Sequence, residues 1–362
     1  MLARNPIRER GEDVKICIYG AGSLGTVLGA FLAKAGLEVD LVSRNEGHVA
    51  GLRAHGAHVT GTMDFAVPVH ALLPSGMCDR YDLVFLMTKQ QDNARVVEGL
   101  GPFMSDASAI CTFQNGLPEA GIAALVGAER TFGCAVAWGA TLHGDGVSEL
   151  TSEPSSLTFS LGTPGKDNGK MLGEIKSILE TMGPVEVEDN FLGARWSKLL
   201  VNSAFSGMSA VLGCSFGGTM RRGSRKYVQA IMKECLDVAR KAGIVIEKIQ
   251  GKDPVLLFDY QGPAKRALGY LILPLAIARH HRLKASMLQD LEAGKPTEVD
   301  AINGVVGEYG RKYGVPTPFN DLVVSIVHDI EGGGLRPSFA NLGLFDAVAG
   351  RGLAGAAVGE GS

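Results

Sequence analysis

The sequence lacks several features that would assign it to a familiar class of protein. None of its apolar runs reaches the length of a membrane span, which argues against a helical membrane protein. An excess of basic residues is also missing, because 35 Lys and Arg stand against 38 Asp and Glu, and the net charge of −3 argues against a nucleic-acid partner. Residues 1–13 are charged and contain no apolar segment, so we expect a flexible N-terminal extension rather than a signal peptide.

Patterns typical of metal sites and disulfides are missing as well. The six cysteines are scattered, several lie in apolar stretches, and none forms a C-x-x-C pair. We therefore predict buried, reduced thiols in a cytoplasmic protein. His55 and His58, like the pair His280-His281, lack the further ligands that a metal site needs, so no metal is expected.

The most informative segment that is present is Lys15-Ile16-Cys17-Ile18-Tyr19-Gly20-Ala21-Gly22-Ser23-Leu24-Gly25. A short apolar run meets glycines spaced G-x-G-x-x-G, and a helix-compatible stretch, Thr26–Ala35, follows. In a dinucleotide site the first glycine makes a tight turn, the second admits the pyrophosphate and the third lets the helix pack on the strand. The helix N-terminus then offers N–H groups to the phosphates. A glycine-rich connector in another α/β protein is the alternative.

The second strand of this unit, Glu38–Ser43, indicates which dinucleotide binds. NAD sites usually have an acidic residue at the end of that strand, whereas Asp40 lies inside it. Arg44 follows the strand, and a guanidinium binds phosphate oxygens through a bidentate fork. We therefore predict NADP rather than NAD, with Arg44 at the 2′-phosphate. A solvated arginine at a strand end is the alternative, and Glu46 nearby weakens the preference.

Length and pattern predict two domains in an α/β protein. With 362 residues, 46% of them hydrophobic, the chain can form two substantial cores. Strand and helix signals alternate up to about Val187, which predicts a Rossmann-type doubly wound sheet with antiparallel additions at its far end. Helical periodicity dominates after Asp189. We predict an NADP-binding Rossmann domain over residues 14–189, a mostly α-helical C-terminal domain over 190–345, and a disordered tail over 346–362.

The individual elements follow from the same patterns. The predicted strands are Lys15–Tyr19, Glu38–Ser43, Asp82–Met87, Ser108–Phe113, Thr131–Trp138, Leu157–Leu161 and Val185–Val187. The predicted helices beyond the first are Gly169–Met182, Leu192–Leu212, Arg225–Ala242, Ala264–Arg279, Glu298–Tyr313 and Asn320–Asp329.

Three polar residues recur every four positions in the helix predicted over Leu192–Leu212. They are Lys198, Asn202 and Ser206, and this spacing predicts that they share one face. A lysine that faces a cleft beside a cofactor is a candidate acid. The alternative is a lysine that snorkels to the surface and an asparagine bonded to the backbone.

A carboxylate candidate lies at the start of a later helix. Gly294 and Pro296 are predicted to end one helix and begin the next. Thr297 and Asp300 fit a capping box, which puts Glu298 in the first turn, where the helix dipole favours an ionised carboxylate. An ordinary first-turn glutamate explains the same pattern.

Two loops follow predicted parallel strands. Gln114-Asn115-Gly116 comes directly after one strand, and Lys89 has the equivalent place after the preceding strand. Loops at the carboxyl ends of parallel strands face the ligand crevice of such sheets, although Asn-Gly is also an ordinary turn signal.

Taken together, these stretches resemble the ketopantoate reductase (2-dehydropantoate 2-reductase) family. The resemblance extends from about Val14 to about Val327, and its most specific part is Ser286–Gly304. The matching stretches are Gly20–Gly25, Arg44, Thr88-Lys89, Gln114-Asn115-Gly116, Trp196–Asn202, Ser286–Gly304 and residues 314–320.

The resemblance implies an NADPH-dependent reduction of a 2-oxo acid to a 2-hydroxy acid, that of ketopantoate to pantoate in pantothenate biosynthesis. It makes Lys198 the general acid, and it makes Glu298 the residue that binds the substrate hydroxyl and helps to hold Lys198. The implied substrate-binding residues are Asn115, Asn202, Ser206 and Ser286. The implied cofactor-binding residues are Gly20, Ala21, Gly22, Ser23, Leu24, Gly25, Arg44, Lys89, Asn115 and Glu298.

Two features differ from the family pattern. Ser206 stands where the family usually has a second asparagine, and the stretch Gln250–Leu283 is longer than expected and could reshape the substrate pocket. A related dehydrogenase acting on another ketoacid or an imine, as opine-type enzymes do, therefore stays open, as does a non-catalytic NADP-binding regulator. The expected partner is a small molecule, with neither nucleic acid nor membrane, and the helical half offers apolar surface for a homodimer.

Overall fold

The computed structural model describes residues 14–165, 169–249 and 251–358, with backbone only for residues 351–358. The N-terminal extension predicted over residues 1–13 lies outside these ranges. The chain divides into two compact units. Unit 1 runs to Gln114 and resumes over Pro118–Phe191, whereas unit 2 combines Asn115–Leu117 with the chain from Leu192 onward. The sequence placed Asn115 in the Rossmann domain, and the structure instead assigns it to the helical unit.

Unit 1 is built on an eight-stranded sheet and a smaller four-stranded one. Its strands are β1 (Ile16–Tyr19), β2 (Val39–Val42), β3 (Ala57–Gly61), β4 (Phe65–Val67), β5 (His70–Leu72), β6 (Tyr81–Leu86), β7 (Met104–Thr112), β8 (Thr131–Val136), β9 (Ala140–Gly144), β10 (Val147–Leu150), β11 (Phe159–Gly162) and β12 (Val185–Val187). The large sheet has the order β12-β11-β8-β7-β6-β1-β2-β5, and β11 runs antiparallel to β8. The predicted doubly wound sheet with an antiparallel addition is therefore confirmed.

Five of these strands were not predicted. β3, β4, β9 and β10 form the small sheet in the order β4-β3-β10-β9, and β5 is an edge strand of the large one. These strands contain only three to five residues each, and half of their positions are only half-buried. Such segments carry too little alternating hydrophobicity to be recognised as strands from a sequence.

The helices of unit 1 cover both faces of the large sheet. They are α1 (Ser23–Lys34), α2 (Glu46–His55), α3 (Asn93–Leu100), α4 (Glu119–Val126) and α5 (Gly169–Leu179). Successive residues of a strand point to opposite faces, so Phe85 packs in one apolar cluster with Leu28 and Leu41, whereas Val84 packs in another with Ile110.

Unit 2 is helical. Its helices are α6 (Phe191–Val201), α7 (Gly207–Leu212), α8 (Arg222–Lys241), α9 (Pro254–Phe258), α10 (Pro263–Ala276), α11 (Ser286–Glu292), α12 (Val305–Tyr313), α13 (Pro318–Glu331) and α14 (Leu342–Val358). Two short π-helical segments, Asn202–Ser206 and Asp300–Gly304, interrupt the regular geometry, and we call them the first and second wide turns. The first wide turn joins α6 to α7, so the helix predicted over Leu192–Leu212 is continuous but not uniform. No helix in the described ranges is long and apolar enough to cross a membrane.

Two expectations are corrected by the structure. Of the tail predicted to be disordered over 346–362, residues 346–358 continue α14, and residues 359–362 lie outside the described ranges. Asp346 accepts a hydrogen bond from Lys226 (2.8 Å), and the ring of Phe345 packs against that of Tyr227 on α8. Composition alone could not reveal these contacts. Cys78, predicted to be a buried thiol, is exposed. Cys17, Cys111, Cys134 and Cys235 are buried as predicted, and Cys214 is half-buried.

The end of α13 holds the segment that leads into the second wide turn. Oε1 of Glu331 accepts a hydrogen bond from the Thr297 N–H (2.7 Å), and Oε2 of Glu331 lies 3.0 Å from Nδ1 of His328. His328 Nε2 in turn lies 2.9 Å from Asp300 Oδ1. The predicted capping box is therefore replaced: Asp300 binds His328, and Glu331 takes the Thr297 N–H. The Thr297 hydroxyl accepts from the Val299 N–H instead (3.3 Å).

These ion pairs shift two pKa values in opposite directions. The pKa of His328 is raised, mainly by its hydrogen bond to Asp300. Burial acts in the opposite direction, and the contact with Glu331 raises the pKa further. Burial tends to raise the pKa of Glu331, but the bonds from Thr297 and His328 outweigh it and lower that pKa. The stabilisation linked to a raised histidine pKa is fully present below the ordinary histidine pKa of about 6.5. The stabilisation linked to a lowered glutamate pKa is fully present above the ordinary glutamate pKa of about 4.3. The stabilisation is lost as pH rises through the raised pKa of His328.

We predict that His328→Gln removes this stabilisation, because glutamine keeps hydrogen bonding but carries no charge. Near pH 6, still below the ordinary histidine pKa of about 6.5, the variant should unfold about 1–4 °C below the parent, since exposed ion pairs contribute about 0.2–1 kcal/mol. At about pH 9 the two proteins should unfold at closely similar temperatures. Calorimetric melting at both pH values measures the difference. An equal deficit at both would contradict the role of the charge.

Candidate active site

The three glycines after β1 have different reasons to lack a side chain. Gly20 has φ +108°, and a Cβ there would lie 2.6 Å from the backbone of Met87 and Thr88. A Cβ on Gly25 would lie 2.7 Å from the Gly20 carbonyl oxygen. At Gly22 the nearest atom would be 4.0 Å away, so the protein itself leaves room for a side chain. The open space at Gly22 is where a pyrophosphate approaches in a dinucleotide site, so these residues fit such a cofactor.

The N-terminus of α1 supports the same conclusion. α1 begins at Ser23 with Gly22 as its N-cap residue, and no side chain in the described ranges caps it. The first N–H groups of a helix have no partner within the helix, and the helix dipole adds a partial positive charge. Together they form an anion site beside the open space at Gly22.

The order of the strands places this site at a switch point of the sheet. β1 pairs with β2 on one side and with β6 on the other, all parallel. The chain moves outward from β1 to β2 and then returns to β6 on the opposite side. Open α/β sheets bind ligands outside the carboxyl ends of the strands at such a point.

Gln114 joins two of the loops at this edge, and the sequence did not single it out for this role. Its Nε2 donates to the Thr88 carbonyl oxygen (2.7 Å), and its amide pairs with that of Asn93 (2.6 and 2.9 Å). The Thr112 hydroxyl also donates to Oε1 of Gln114 (3.0 Å). Gln114 is buried, so this network holds the loop that carries Lys89, which is half-buried. The sequence signal that could have indicated this role is a polar residue that follows directly after an apolar strand.

Arg44 lies just beyond β2, where a 2′-phosphate would be recognised. Its side chain is 64% exposed, and NH2 lies 3.1 Å from Oδ2 of Asp92, a partner that the sequence did not indicate. Asp40 is buried inside β2 and accepts hydrogen bonds from Tyr81 (2.6 Å) and His70 (2.6 Å). Its carboxylate is thus occupied within the sheet and does not stand at the strand tip where a ribose would bind.

In unit 2 the structure brings together two predicted residues that are 183 positions apart. Nδ2 of Asn115 lies 3.4 Å from Oε2 of Glu298. Both residues are half-buried, and Glu298 directly precedes the helix that opens with the second wide turn. Gly116, with φ +76°, allows the sharp turn that follows Asn115.

Lys198, Asn202 and Ser206, which recur every four positions, differ in how deeply they are buried. Lys198 lies in the last turn of α6 and Asn202 begins the first wide turn, and both are half-buried. Ser206 ends that turn and is only 5% exposed. The prediction of one common face assumed a regular α-helix, and a π-helical segment changes the angular step per residue. Ser286 begins α11 and is exposed.

The predicted residues of unit 2 have a definite chemical capacity, and the structure brings two of them, Asn115 and Glu298, into contact. An ammonium and a carboxylate together can donate a proton and accept a hydrogen bond. Amides such as those of Asn115 and Asn202 orient carbonyl and hydroxyl groups. Groups of these kinds suit a reaction at a carbonyl with proton donation to its oxygen. Unit 1 by itself offers an anion site at the start of α1, beside Gly22.

Comparisons with known proteins point the same way. Residues 16–163 match the family described as ketopantoate reductase PanE/ApbA, and residues 190–331 match its C-terminal domain. The 2-dehydropantoate 2-reductase of Pyrococcus horikoshii is 29% identical over 89% of this chain and 100% of its own length. That of Lactococcus lactis is 27% identical over 88% of this chain and 98% of its own.

Solved structures show the same likeness. A ketopantoate reductase of Ralstonia eutropha superposes with a TM-score of 0.73 at 26% identity, over 88% of this chain and 99% of that one. D-mandelate dehydrogenase in complex with NADH and anilino(oxo)acetate gives a TM-score of 0.75 at 24% identity with the same coverage, which shows a shared fold. The two family matches together span both units, and the chain belongs to the ketopantoate reductase PanE/ApbA family of oxidoreductases.

Proposed function

We propose that this protein catalyses the NADPH-dependent reduction of 2-dehydropantoate (ketopantoate), a 2-oxo acid, to the 2-hydroxy acid pantoate. The observation that carries the proposal is the contact of Asn115 with Glu298, 3.4 Å between Nδ2 and Oε2. It places an amide donor and a carboxylate acceptor side by side, as the binding of a carbonyl and the resulting hydroxyl requires. Membership in the ketopantoate reductase family supports the same reaction.

The cofactor is proposed to bind unit 1. The N–H groups at the start of α1, beside Gly22, would hold the pyrophosphate, and Arg44 would bind the 2′-phosphate. Lys89 would add a positive charge near the phosphates. Asn115 and Glu298 are proposed to contact the cofactor as well as the substrate. A bound NADPH supplies the hydride that reduces the keto carbon.

Lys198 is the proposed general acid. Negative charge develops on the keto oxygen during the reduction, and a nearby ammonium both stabilises that charge and donates the proton from Nζ. Glu298 would accept a hydrogen bond from the substrate hydroxyl. Asn202 and Ser286 would orient the substrate, with Ser286 near its carboxylate. Ser206 is buried at the end of the first wide turn, so we leave it out of the direct contacts.

A different 2-oxo acid is the second candidate substrate. It is favoured by Ser206, which is shorter than the asparagine usual in the family. It is favoured also by α9 and α10, which the long stretch 250–283 forms immediately before Ser286. A pocket altered by these features would accept a different side chain on the 2-oxo acid while keeping the acid chemistry of Lys198.

The direct test is NADPH oxidation, followed at the nicotinamide absorbance, with ketopantoate and with a panel of 2-oxo acids and imines. We expect turnover of about 1 s⁻¹ or more with ketopantoate, within the ordinary range for enzymes. Faster turnover of another 2-oxo acid would favour the second candidate. NADPH binding without turnover of any compound would indicate a non-catalytic NADP-binding protein and refute the proposed function.

Lys198→Ala is expected to lower kcat by about 10²–10⁴-fold, the usual contribution of a general acid. NADPH affinity, measured by fluorescence titration, should change little, because Lys198 is not among the residues proposed to contact the cofactor. Lys241→Ala is the matched control, since Lys241 is an exposed lysine at the end of α8. Near-parental turnover by Lys198→Ala would remove Lys198 from the mechanism.

Arg44→Ala is expected to raise KM for NADPH by about 10–100-fold, because hydrogen bonds between charged groups contribute roughly 1.5–3 kcal/mol. KM for NADH, which has no 2′-phosphate, should stay nearly constant. Arg95→Ala is the matched control, because Arg95 binds the same carboxylate of Asp92 (2.9 Å) but is not proposed to contact the cofactor. Equal changes for both cofactors would argue against a phosphate contact at Arg44.

A further inference from the structure

Each of two helical segments in unit 2 contains a wide turn next to a proposed active-site residue. The first wide turn begins with Asn202, and the second starts two positions after Glu298. In such a turn the backbone bonds run from i to i+5, and these turns are frequent at functional sites. A buried carbonyl whose usual helical partner is displaced needs another donor.

Asn303, in the second wide turn, supplies a donor to the first. Its Nδ2 lies 3.0 Å from the carbonyl oxygen of Ser203 and 2.9 Å from Oδ1 of Asn320. Asn303 and Ser203 are both fully buried. Since Nδ2 faces two acceptors, the surroundings determine which way the amide points. Asn303 thus ties the two wide turns together.

Asn320 and Glu234 continue this chain of hydrogen bonds. Nδ2 of Asn320 donates to Oε2 of Glu234 (2.7 Å), so its Oδ1 is turned toward Asn303. The carboxylate of Glu234 also accepts the N–H groups of Phe319 and Asn320 (2.9 Å each) at the start of α13. Burial raises the pKa of Glu234 to about 7, and these hydrogen bonds act in the opposite direction. The buried chain therefore runs from α8 through α13 to both wide turns.

Gly207 shows how closely the two segments approach. A Cβ at this position would lie 2.8 Å from Oδ1 of Asn303 and 3.0 Å from Cγ1 of Val323. The absence of a side chain at Gly207 therefore allows Asn303 to reach the carbonyl of Ser203. Any larger residue there would have to displace Asn303 or the first wide turn.

Stability alone does not account for an asparagine at position 303. Its Oδ1 is buried and has no hydrogen-bond partner in the described ranges. A buried acceptor without a partner costs about 1–3 kcal/mol, whereas an apolar residue of similar shape would avoid that cost. What Asn303 supplies, and an apolar residue would not, is the connection to Ser203.

We propose that Asn303 is a positioning residue for the reduction, holding the turn that begins at Asn202 in register with the helix that follows Glu298. The inference rests on the proposed function, because Lys198 lies one turn before Asn202. When the connection is broken, the first wide turn is expected to shift relative to the second, and Lys198 with it. A misplacement of about 1 Å can lower a rate by about 10²-fold.

The test is a comparison of Asn303→Ala with a matched control, Asn341→Ala. Asn341 is also buried, and its Nδ2 also donates to two carbonyl oxygens, those of Val211 (2.9 Å) and Arg336 (3.0 Å). Steady-state kcat and KM are measured for both, well below their melting temperatures, and corrected for the folded fraction. We expect kcat of Asn303→Ala to fall by about 10–100-fold and that of Asn341→Ala by less than about 2-fold.

A double variant separates positioning from a purely structural role. In the Lys198→Ala background, Asn303→Ala should change kcat by less than about 2-fold, because the group that it aligns is already gone. Equal falls of kcat in both backgrounds, or equal kcat for the Asn303 and Asn341 variants, would overturn the inference alone. An inactive parent protein would remove the proposed function and this inference with it. Should Asn303→Ala fail to fold, Gly207→Ala displaces the same contact, and unchanged kcat there would also overturn the inference.

Discussion

Unit 1 depends on one constraint, the close approach of the backbone at Gly20 to the backbone of residues 87 and 88. The chain leaves β1 at Gly20 in a conformation with φ +108°, and the space where a side chain would stand is taken by the backbone of residues 87 and 88 after β6. β1, β2 and β6 are parallel neighbours, so their following loops all leave from one edge of the sheet. Gly25 then brings α1 down onto the same turn. These contacts account for two of the three glycines, whereas at Gly22 the protein leaves open space, where the cofactor is proposed to bind.

Unit 2 depends on a different kind of contact. Its apolar core surrounds Trp196, which is fully buried and packs edge-on against Tyr309 at 5.3 Å. Apolar packing is roughly proportional to area and has little directionality, so it does not by itself specify the rotation of one helix against another. Hydrogen bonds from the Nδ2 groups of Asn303 and Asn320 are directional, because each donor must point at its acceptor. In this unit the buried polar groups therefore add directional contacts between helices that the apolar groups bring together.

The proposed site residues lie on short segments at the ends of regular elements. Asn115 follows β7 but belongs to unit 2, where it contacts Glu298. Gln114, one residue earlier, belongs to unit 1 and holds the loop that carries Lys89. Gln114 and Asn115 are thus neighbours in one loop but belong to different units. Regular elements flank these loop residues, as is common for binding sites on loops.

The local order of residues was sufficient to predict the glycine turn, the doubly wound sheet and the long helices, because periodicity and turn chemistry act over a few positions. The family followed from the residues in Gly20–Gly25 and Ser286–Gly304. Contacts between distant parts of the chain decided the rest. Asn303 bonds to Ser203, 100 positions away; Asp346 attaches α14 to α8, and Glu331 takes the place of the predicted capping partner of Thr297. None of these pairings leaves a signal within a short window of sequence, since hydrogen bonds across such distances exist only once the helices have packed.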